Sequence, residues 1–461
     1  MPKPRTLLAL AWLAASPAAS AASDPLTLDE ALALAARANL DLRLAENDRS
    51  GAQVDAYGSY AGVLPRLDLQ AQFGNQYSSY GQELTIVPVQ LSPLSYQKLV
   101  VPTPAADFET YTFGLQLNLP LFDGFTSWAR ISQSEALSRA AARQYDEAAL
   151  ATAASVIARF YEVVRAERSL GVLEGAARRS EDLVRRTDEL YQAGRASRAD
   201  TYAARVTLGN DRIAAEQQSA RVVAARVDLS QSLGREADPE LRVVAPRTLE
   251  APAFLDPPPL RELLDLARSR RPVLAGDDER VRAAGEDVRA AQGGYWPAVS
   301  AQASYLRQSS WLYGTYGAYG DPTQQYVATV GVTVNWNLFE GRATSAAVQR
   351  ANVGLARARL AAEQALLDLT GEVARARSSY VTLVRSSAIA EENLRSAGES
   401  LRLARVRFEA GAAPQLEIAD ALLKLTQSEL ALLGTRVDAL VAGANLNRAV
   451  GGALWAKGTP P

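Results

Sequence analysis

The side chains that carry most enzymatic chemistry are missing from this chain. Its 461 residues include no histidine and no cysteine, which removes thiol nucleophiles, imidazole acid–base work and the usual zinc or haem ligation. Carboxylates remain, and Asp277-Asp278 and Glu391-Glu392 are adjacent pairs, but they read as solvated helix charge. The stretch from Gly314 to Gly320 has no lysine and no helix after it, so it reads as a Tyr-Gly hairpin loop and not as a phosphate cradle. No cofactor or metal is expected, and the chain is expected not to be an enzyme. Basic and acidic residues nearly balance, 49 against 51, and no nucleic-acid footprint is visible. What stands out is acids placed just past glycine turns: Asp200 after Ala193-Gly194, and Glu417 and Asp420 after Ala410-Gly411. Acids in such places ordinarily serve a helix N-terminus.

The elements that must position these acids occur twice. Phe113-Gly114-Leu115-Gln116-Leu117-Asn118 aligns with Val330-Gly331-Val332-Thr333-Val334-Asn335, and Leu121-Phe122-Asp123-Gly124 with Leu338-Phe339-Glu340-Gly341. The same offset of 217 carries Gly194 to Gly411, Asp200 to Glu417 and Gly234 to Gly451. Upstream the offset is 232: Leu28, Glu30 and Leu32 match Leu260, Glu262 and Leu264, and Pro65 matches Pro297. A length change therefore lies between Pro65 and Phe113, where a Tyr-, Leu- and Pro-rich loop, Asn75 to Thr110, stands opposite the shorter Arg307 to Gln325. Repetition kept in register through several element types is an architectural signal. The expected organisation is a signal over 1–21, a first repeat over 22–245, a Pro-rich linker over 246–259, a second repeat over 260–451 and a tail over 452–461. A length-based prior of about three globular domains gives way to one duplicated body.

Lys3 and Arg5, the apolar run Leu7 to Ala15 and the small residues Ala19-Ser20-Ala21 read as a secretory signal. Its removal leaves 47 basic against 51 acidic residues. No later segment offers the roughly 18 apolar residues of a spanning helix. Without cysteine there is neither a disulfide nor a lipid-modified cysteine.

Four short segments alternate at period two. Leu67, Leu69, Ala71 and Phe73 interleave with Asp68, Gln70 and Gln72, and Tyr111 to Leu119 alternate likewise. The second repeat does the same over Val299 to Tyr305 and Ala328 to Trp336, giving hairpins at about 67–119 and 299–336. Such alternation suits a solvated sheet over a core. It also suits outer-membrane barrel strands of about ten residues, with Trp128, Trp296, Trp336, Phe122 and Phe339 as interfacial aromatics. Four strands cannot close a barrel with a lumen, and open edges are not tolerated in lipid, so the barrel reading requires several copies.

Between Leu121 and Asp238 there is no proline, and after Thr323 within the second repeat only Pro414, placed where a helix first turn tolerates it. Val156, Val163 and Leu170, and in the second copy Leu366, Val373 and Tyr380, recur at sevens. A helix over about Ser127 to Tyr191 would run about 100 Å, with heptad packing against neighbours.

Signal, duplicated hairpin, the L-F-[DE]-G exit from each second strand and the A-G turn followed by an acid together resemble the TolC-like outer-membrane efflux channels, over about Leu26 to Gly451. The resemblance implies an α+β membrane protein in the outer membrane. Its homotrimer would place four strands per chain in a twelve-stranded β-barrel, continuing into a coiled-coil α-helical tunnel across the periplasm. It implies that each long helix pairs with two shorter ones, here about Leu40 to Val63 with Ala199 to Leu233, and it implies passive conduction for an inner-membrane transporter and its periplasmic adaptor, in tripartite efflux or type I secretion, with drugs, metals, siderophores and polypeptides all open as substrates. It also implies that Asp200, Glu417 and Asp420 stand at the periplasmic gate, where rings of acid favour cations, while capping remains open for Asp200 and Glu417. The family's gate tyrosine and arginine fall on Phe408 and Ala413, which cannot form its lock. Arg195, Arg198 and Arg407 are near enough to substitute. The tip turns, with Gly194, Arg195, Gly411 and Pro414, are where an adaptor would dock. A secreted coiled-coil protein without a pore is the alternative, and a surface adhesin or phage receptor using the 75–110 loop is a lesser one.

Overall fold

The computed structural model describes residues 25–452 apart from 79–80, 89–95, 104–105, 247–248, 251–253, 315, 322–325 and 411. The expected signal, Met1 to Ala21, and the turn residue Gly411 therefore lie outside the described residues. In chain order the first half runs α1 (Leu28–Ala38), α2 (Leu40–Ser59), β1 (Arg66–Ser78), β2 (Gly81–Pro88), β3 (Tyr96–Thr103), β4 (Ala106–Phe122), α3 (Thr126–Gln192) and α4 (Arg198–Ser232). The second half runs α5 (Leu260–Arg270), α6 (Pro272–Gln292), β5 (Ala298–Ser309), β6 (Tyr326–Asn335), α7 (Ala343–Glu409) and α8 (Gln415–Ala449). Helices α3 and α7 have 67 residues each, and α4 and α8 have 35 each. The expected helix ends fall within a residue or two of these bounds, except that α2 gives way to a single 3-10 turn at Tyr60–Gly62. Pro414 sits at the N-cap of α8, one position before the helix. The 75–110 segment is not a plain loop: β1 and β4 extend into it, and β2 and β3 pair as a separate antiparallel hairpin.

Chain contacts define two compact units, each drawn from both halves. One holds residues up to Glu46, Tyr145–Pro272 and Leu366 onward; the other holds Asn47–Gln144 and Val273–Ala365.

The second unit contains the antiparallel sheet β1-β4-β5-β6. Its register sets Leu69 opposite Leu115 and Leu115 opposite Tyr305, while Val299, Ala301 and Ala303 face Val334, Val332 and Val330. Partners across a sheet share a face, so one face is Leu, Val, Ala and aromatic over 67–73, 111–117, 299–305 and 326–334, gives way to Asn75, Glu109, Arg307 and Ser309 at its far end, and the other face carries Asp68, Gln70, Gln116, Asn118, Ser304 and Thr333. Each second strand leaves the sheet by the same device. Gly124 and Phe125 have φ of 68° and 67°, and their counterparts Gly341 and Arg342 have 62° and 70°. The acid of the motif then caps the long helix: Ser127 N–H donates to Asp123 Oδ2 at 2.8 Å, and Thr344 N–H to Glu340 Oε1 at 2.8 Å. A side chain at Gly124 would collide with the backbone of Gly293, so glycine is required there for close approach as well as for its left-handed backbone.

The first unit has a helical core. Val156, Phe160 and Val163 of α3 are fully buried against Val222 and Leu229 of α4, Ala31 and Ala35 of α1 and Val437 and Leu440 of α8. Of the heptad residues named from sequence, Val156, Val163, Val373 and Tyr380 are fully buried, and Leu170 and Leu366 are half-buried. Between α5 and α6, Arg271 is buried and makes a two-pronged bond to Glu147 of α3, 2.8 Å on each arm. It also reaches Glu372 of α7 at 3.3 Å and the carbonyl of Arg448 in α8 at 2.8 Å. The corresponding residue of the first repeat is Asn39, whose amide donates to the Ser232 carbonyl at 2.7 Å and whose Oδ1 accepts from Leu42 N–H.

Removing one partner of a buried, hydrogen-bonded ion pair costs about 3–5 kcal/mol, whereas losing a cap-type hydrogen bond costs about 1 kcal/mol. Arg271→Ala is therefore expected to raise amide hydrogen exchange around Glu147 and Arg448 by two to three orders of magnitude, and Asn39→Ala to raise exchange in α2 by about tenfold or less. Equal effects at the two sites would contradict this ranking.

Candidate functional site

Two surfaces have the character of a working site, and each lies within one unit. The first is the apolar sheet face. Leu67, Leu69 and Phe73 are 65–67% exposed, and Val330 is 86% exposed. Full burial of each such side chain is worth about 1.5–3 kcal/mol, so this face is built to meet something apolar. At its end toward α3 and α7 lie exposed Trp128, Trp296, Trp336 and Phe339, the aromatics named from sequence. Phe122, the fifth, is half-buried beside Phe125. The sheet also ends in two strands, β1 and β6, each hydrogen-bonded on one side only.

The sequence reading missed the apolar seams on the helices. Val353, Leu360 and Leu367 of α7, Val206 and Ile213 of α4, and Leu416 and Leu423 of α8 are each more than half exposed. Their spacing of seven is a coiled-coil contact pattern, and it is legible in the sequence.

The second surface is the pair of helix-to-helix turns. At the end of α3, Arg195 N–H donates to the Leu190 carbonyl and Gly194 N–H to that of Tyr191, at 2.8 and 2.9 Å. Gly194 has φ of 70°. This is a Schellman closure, which needs a left-handed residue at that position. At the end of α7, Ala412 N–H reaches the Arg407 carbonyl at 2.8 Å in the same pattern.

Beyond the turns the repeats diverge. Ser197 caps α4, and its hydroxyl and N–H both donate to Asp200 Oδ2, at 2.7 and 2.9 Å. Asp200 N–H returns to Ser197 Oγ. This is a full capping box, and these bonds hold the Asp200 carboxyl below the usual carboxylate range. At the equivalent of Ser197 the second repeat has Pro414, which makes no side-chain cap. Glu417 is left free to pair with Arg407 at 2.7 Å, and Asp420 pairs with Lys424 one turn on at 2.7 Å. Phe408 is half-buried against a small core of Leu183, Leu401, Ala404, Ile418 and Leu422. Ala413 is half-buried, and Arg195 and Pro414 are exposed. Arg198 lies over the Tyr202 ring at 5.8 Å. Of the three arginines considered as substitutes in the lock, Arg407 holds one of the named acids in this structure. Among the described residues no group of His, Cys, Asp or Glu has the makings of a metal site, and no helix is long and apolar enough to cross a membrane.

A family model described as outer membrane efflux protein matches residues 31–235 and again 263–452, one match in each half. The chain is 24% identical to the outer membrane efflux protein BepC of Brucella suis biovar 1 over 350 residues, 76% of this chain and 74% of BepC. It is 28% identical to the outer membrane protein OprJ of Pseudomonas aeruginosa over 194 residues, 41% of this chain and 38% of OprJ. Its fold matches that of a Pseudomonas aeruginosa membrane protein solved by crystallography, with a TM-score of 0.77 over 92% of both chains at 21% identity.

The capping box carries a pH signature. Because the folded Asp200 pKa is lowered, its contribution is fully present above the unfolded value of about 3.9 and is lost as pH falls through the lower folded value. Ser197→Ala is expected to cost about 1 kcal/mol locally, read as roughly fivefold faster exchange of the first α4 amides at neutral pH. It should also move the Asp200 carboxyl titration upward by NMR. An unmoved titration would show that the box does not form in solution.

Proposed function

This chain belongs to the outer membrane efflux protein family, and on that premise we propose that it is the outer-membrane duct of a tripartite efflux or type I secretion system. It conducts substrates passively for an inner-membrane transporter and a periplasmic adaptor. The observation that carries this reading is the four-stranded sheet, with a continuous apolar band over 67–73, 111–117, 299–305 and 326–334 on one face, mainly polar residues on the other, and no partner at either edge. Unpaired backbone groups in lipid cost several kcal/mol each, and closure by three copies gives twelve strands with the polar face lining a lumen. The exposed heptad seams then become contacts between copies, and the 67-residue helices, about 100 Å each, form the tunnel wall. In this reading residues 22–245 and 260–451 are the two repeats, joined by 246–259, and the chemistry is conduction, not catalysis.

The tip turns at Gly194, Arg195, Gly411 and Pro414 are the proposed adaptor contacts, and Asp200, Glu417 and Asp420 the proposed constriction. The lock differs from the family pattern because Phe408 packs inward and Ala413 carries no charge. Arg407 takes part of the role by holding Glu417, and thereby offsets some of the negative ring. An exposed pair of this kind is worth about 0–1 kcal/mol, so the gate should be only loosely held.

Single-channel recording of the purified trimer in a planar bilayer tests this. Small cation-selective steps are expected, with Asp420→Asn and Glu417→Gln lowering the cation preference and Arg407→Ala raising it. Arg407→Ala should also raise the open probability by up to about fivefold. Asp200→Asn leaving conductance and selectivity unchanged would remove Asp200 from the constriction and leave it as a capping residue. A water-soluble protein that never inserts would favour a poreless coiled coil.

A further inference from the structure

We propose that the barrel's outer surface carries a groove for one acyl chain of an outer-leaflet lipid, roofed by the connection between β5 and β6. This rests on the membrane reading above, in which the apolar sheet face meets lipid.

The described part of the connection is a built structure. Ala318 N–H donates to the Trp311 carbonyl at 2.8 Å and Tyr319 N–H to that of Leu312 at 2.9 Å. Arg307 lies on the same face as Phe113 and Tyr326, its partners across the sheet, at the end where Glu109 accepts from the Tyr111 hydroxyl at 2.5 Å. Arg307 is only 4% exposed. Its two terminal nitrogens donate to the carbonyls of Gly320 and Gly317, at 2.7 and 2.8 Å. A buried cation requires such partners, and here they come from the loop itself, so Arg307 draws the loop down over the apolar face. The Tyr319 ring then meets Phe113 edge-on at 6.1 Å, and the Tyr313 ring meets Tyr319 at 6.4 Å.

Between loop and sheet a cavity of about 280 Å³ remains, floored by Phe73, Tyr111 and Phe113 and roofed by Leu312, Tyr313 and Tyr319. It lies just below the ~300 Å³ at which small-molecule pockets begin, so it suits a segment of chain and not a whole molecule. No charged group lines it. Its floor runs without a break into Leu69, Leu67, Leu115 and Leu117 on the same face, the surface that lipid tails must cover. That continuity identifies the occupant. From Leu67 to Phe73 is about 20 Å along a strand tilted ~40°, or roughly 15 Å of height, past the middle of a ~25 Å apolar band. The groove therefore faces the leaflet remote from the helices. The first hairpin carries the longer β2–β3 insertion in place of this loop.

The test is photolabelling of the trimer in nanodiscs containing phosphatidylglycerol with a diazirine at the middle of a palmitoyl chain, followed by peptide mapping. Label is expected on Leu312–Tyr313 and Tyr319 as well as on the Leu67–Leu69 stripe. Phe73→Trp, which fills the floor, and Ala318→Phe, which fills the cavity from the loop, should each reduce the loop label at least fivefold while sparing the stripe. Label on the stripe but never on the loop, or loop label unchanged in both variants, would overturn the groove. Absence of label from stripe and loop alike would overturn the membrane reading itself.

Discussion

The constraint on which the rest of this structure depends is the unpaired backbone at the two edges of a four-stranded sheet. Along β1 and β6 half of the N–H and C=O groups point away from any partner, and the face between them is apolar. Water would tolerate the edges but not the face, and lipid the face but not the edges. Only pairing between copies satisfies both, and the internal duplication says how. Within one chain Gln116 of β4 lies opposite Ser304 of β5. Their counterparts in the other repeats are Thr333 of β6 and Gln72 of β1, so β6 of one copy should lie beside β1 of the next with Thr333 opposite Gln72. That register keeps polar residues with polar ones and sets Val332 opposite Phe73 on the apolar face.

The helical elements follow the same logic with more divergence. Equal lengths of α3 and α7, and of α4 and α8, keep the two halves interchangeable in outline. Side chains then differentiate them at the ends. A neutral Asn39 stands where the second repeat buries Arg271 among two glutamates, and a Ser197–Asp200 box stands where the second repeat has Pro414 and a Glu417 held by Arg407. In both places the backbone is conserved between halves while the electrostatics change. A three-fold assembly of such chains would be six-fold in outline and three-fold in charge, which confines alternating chemistry to the turns.

Much of this was legible in the residues. Period-two alternation gave the sheet faces because a one-residue slip would invert every side chain, and the 217-residue offset transferred bounds from one long helix to the other. The Ser197-x-x-Asp200 spacing is likewise a helix-start signature. Other features were not readable. The partners of Arg271 lie 101 to 177 residues away, beyond any local pattern. The β2–β3 hairpin is interrupted by prolines at both ends, which masks its alternation. Whether an exposed heptad such as Val353-Leu360-Leu367 faces its own chain or another copy depends on tertiary packing, which periodicity does not encode.

Because the chain has no native cysteine, closure between copies can be measured directly. Paired cysteines at Gln72 and Thr333 would sit about 5 Å apart between Cα atoms in a directly opposed antiparallel pair, within disulfide range. Oxidation of the double variant in outer membranes is predicted to give covalent trimers on denaturing gels, while Thr333→Cys alone and the off-register pair Gln72→Cys with Val332→Cys stay monomeric. A disulfide confined to single chains, or none at all, would contradict a barrel closed between copies.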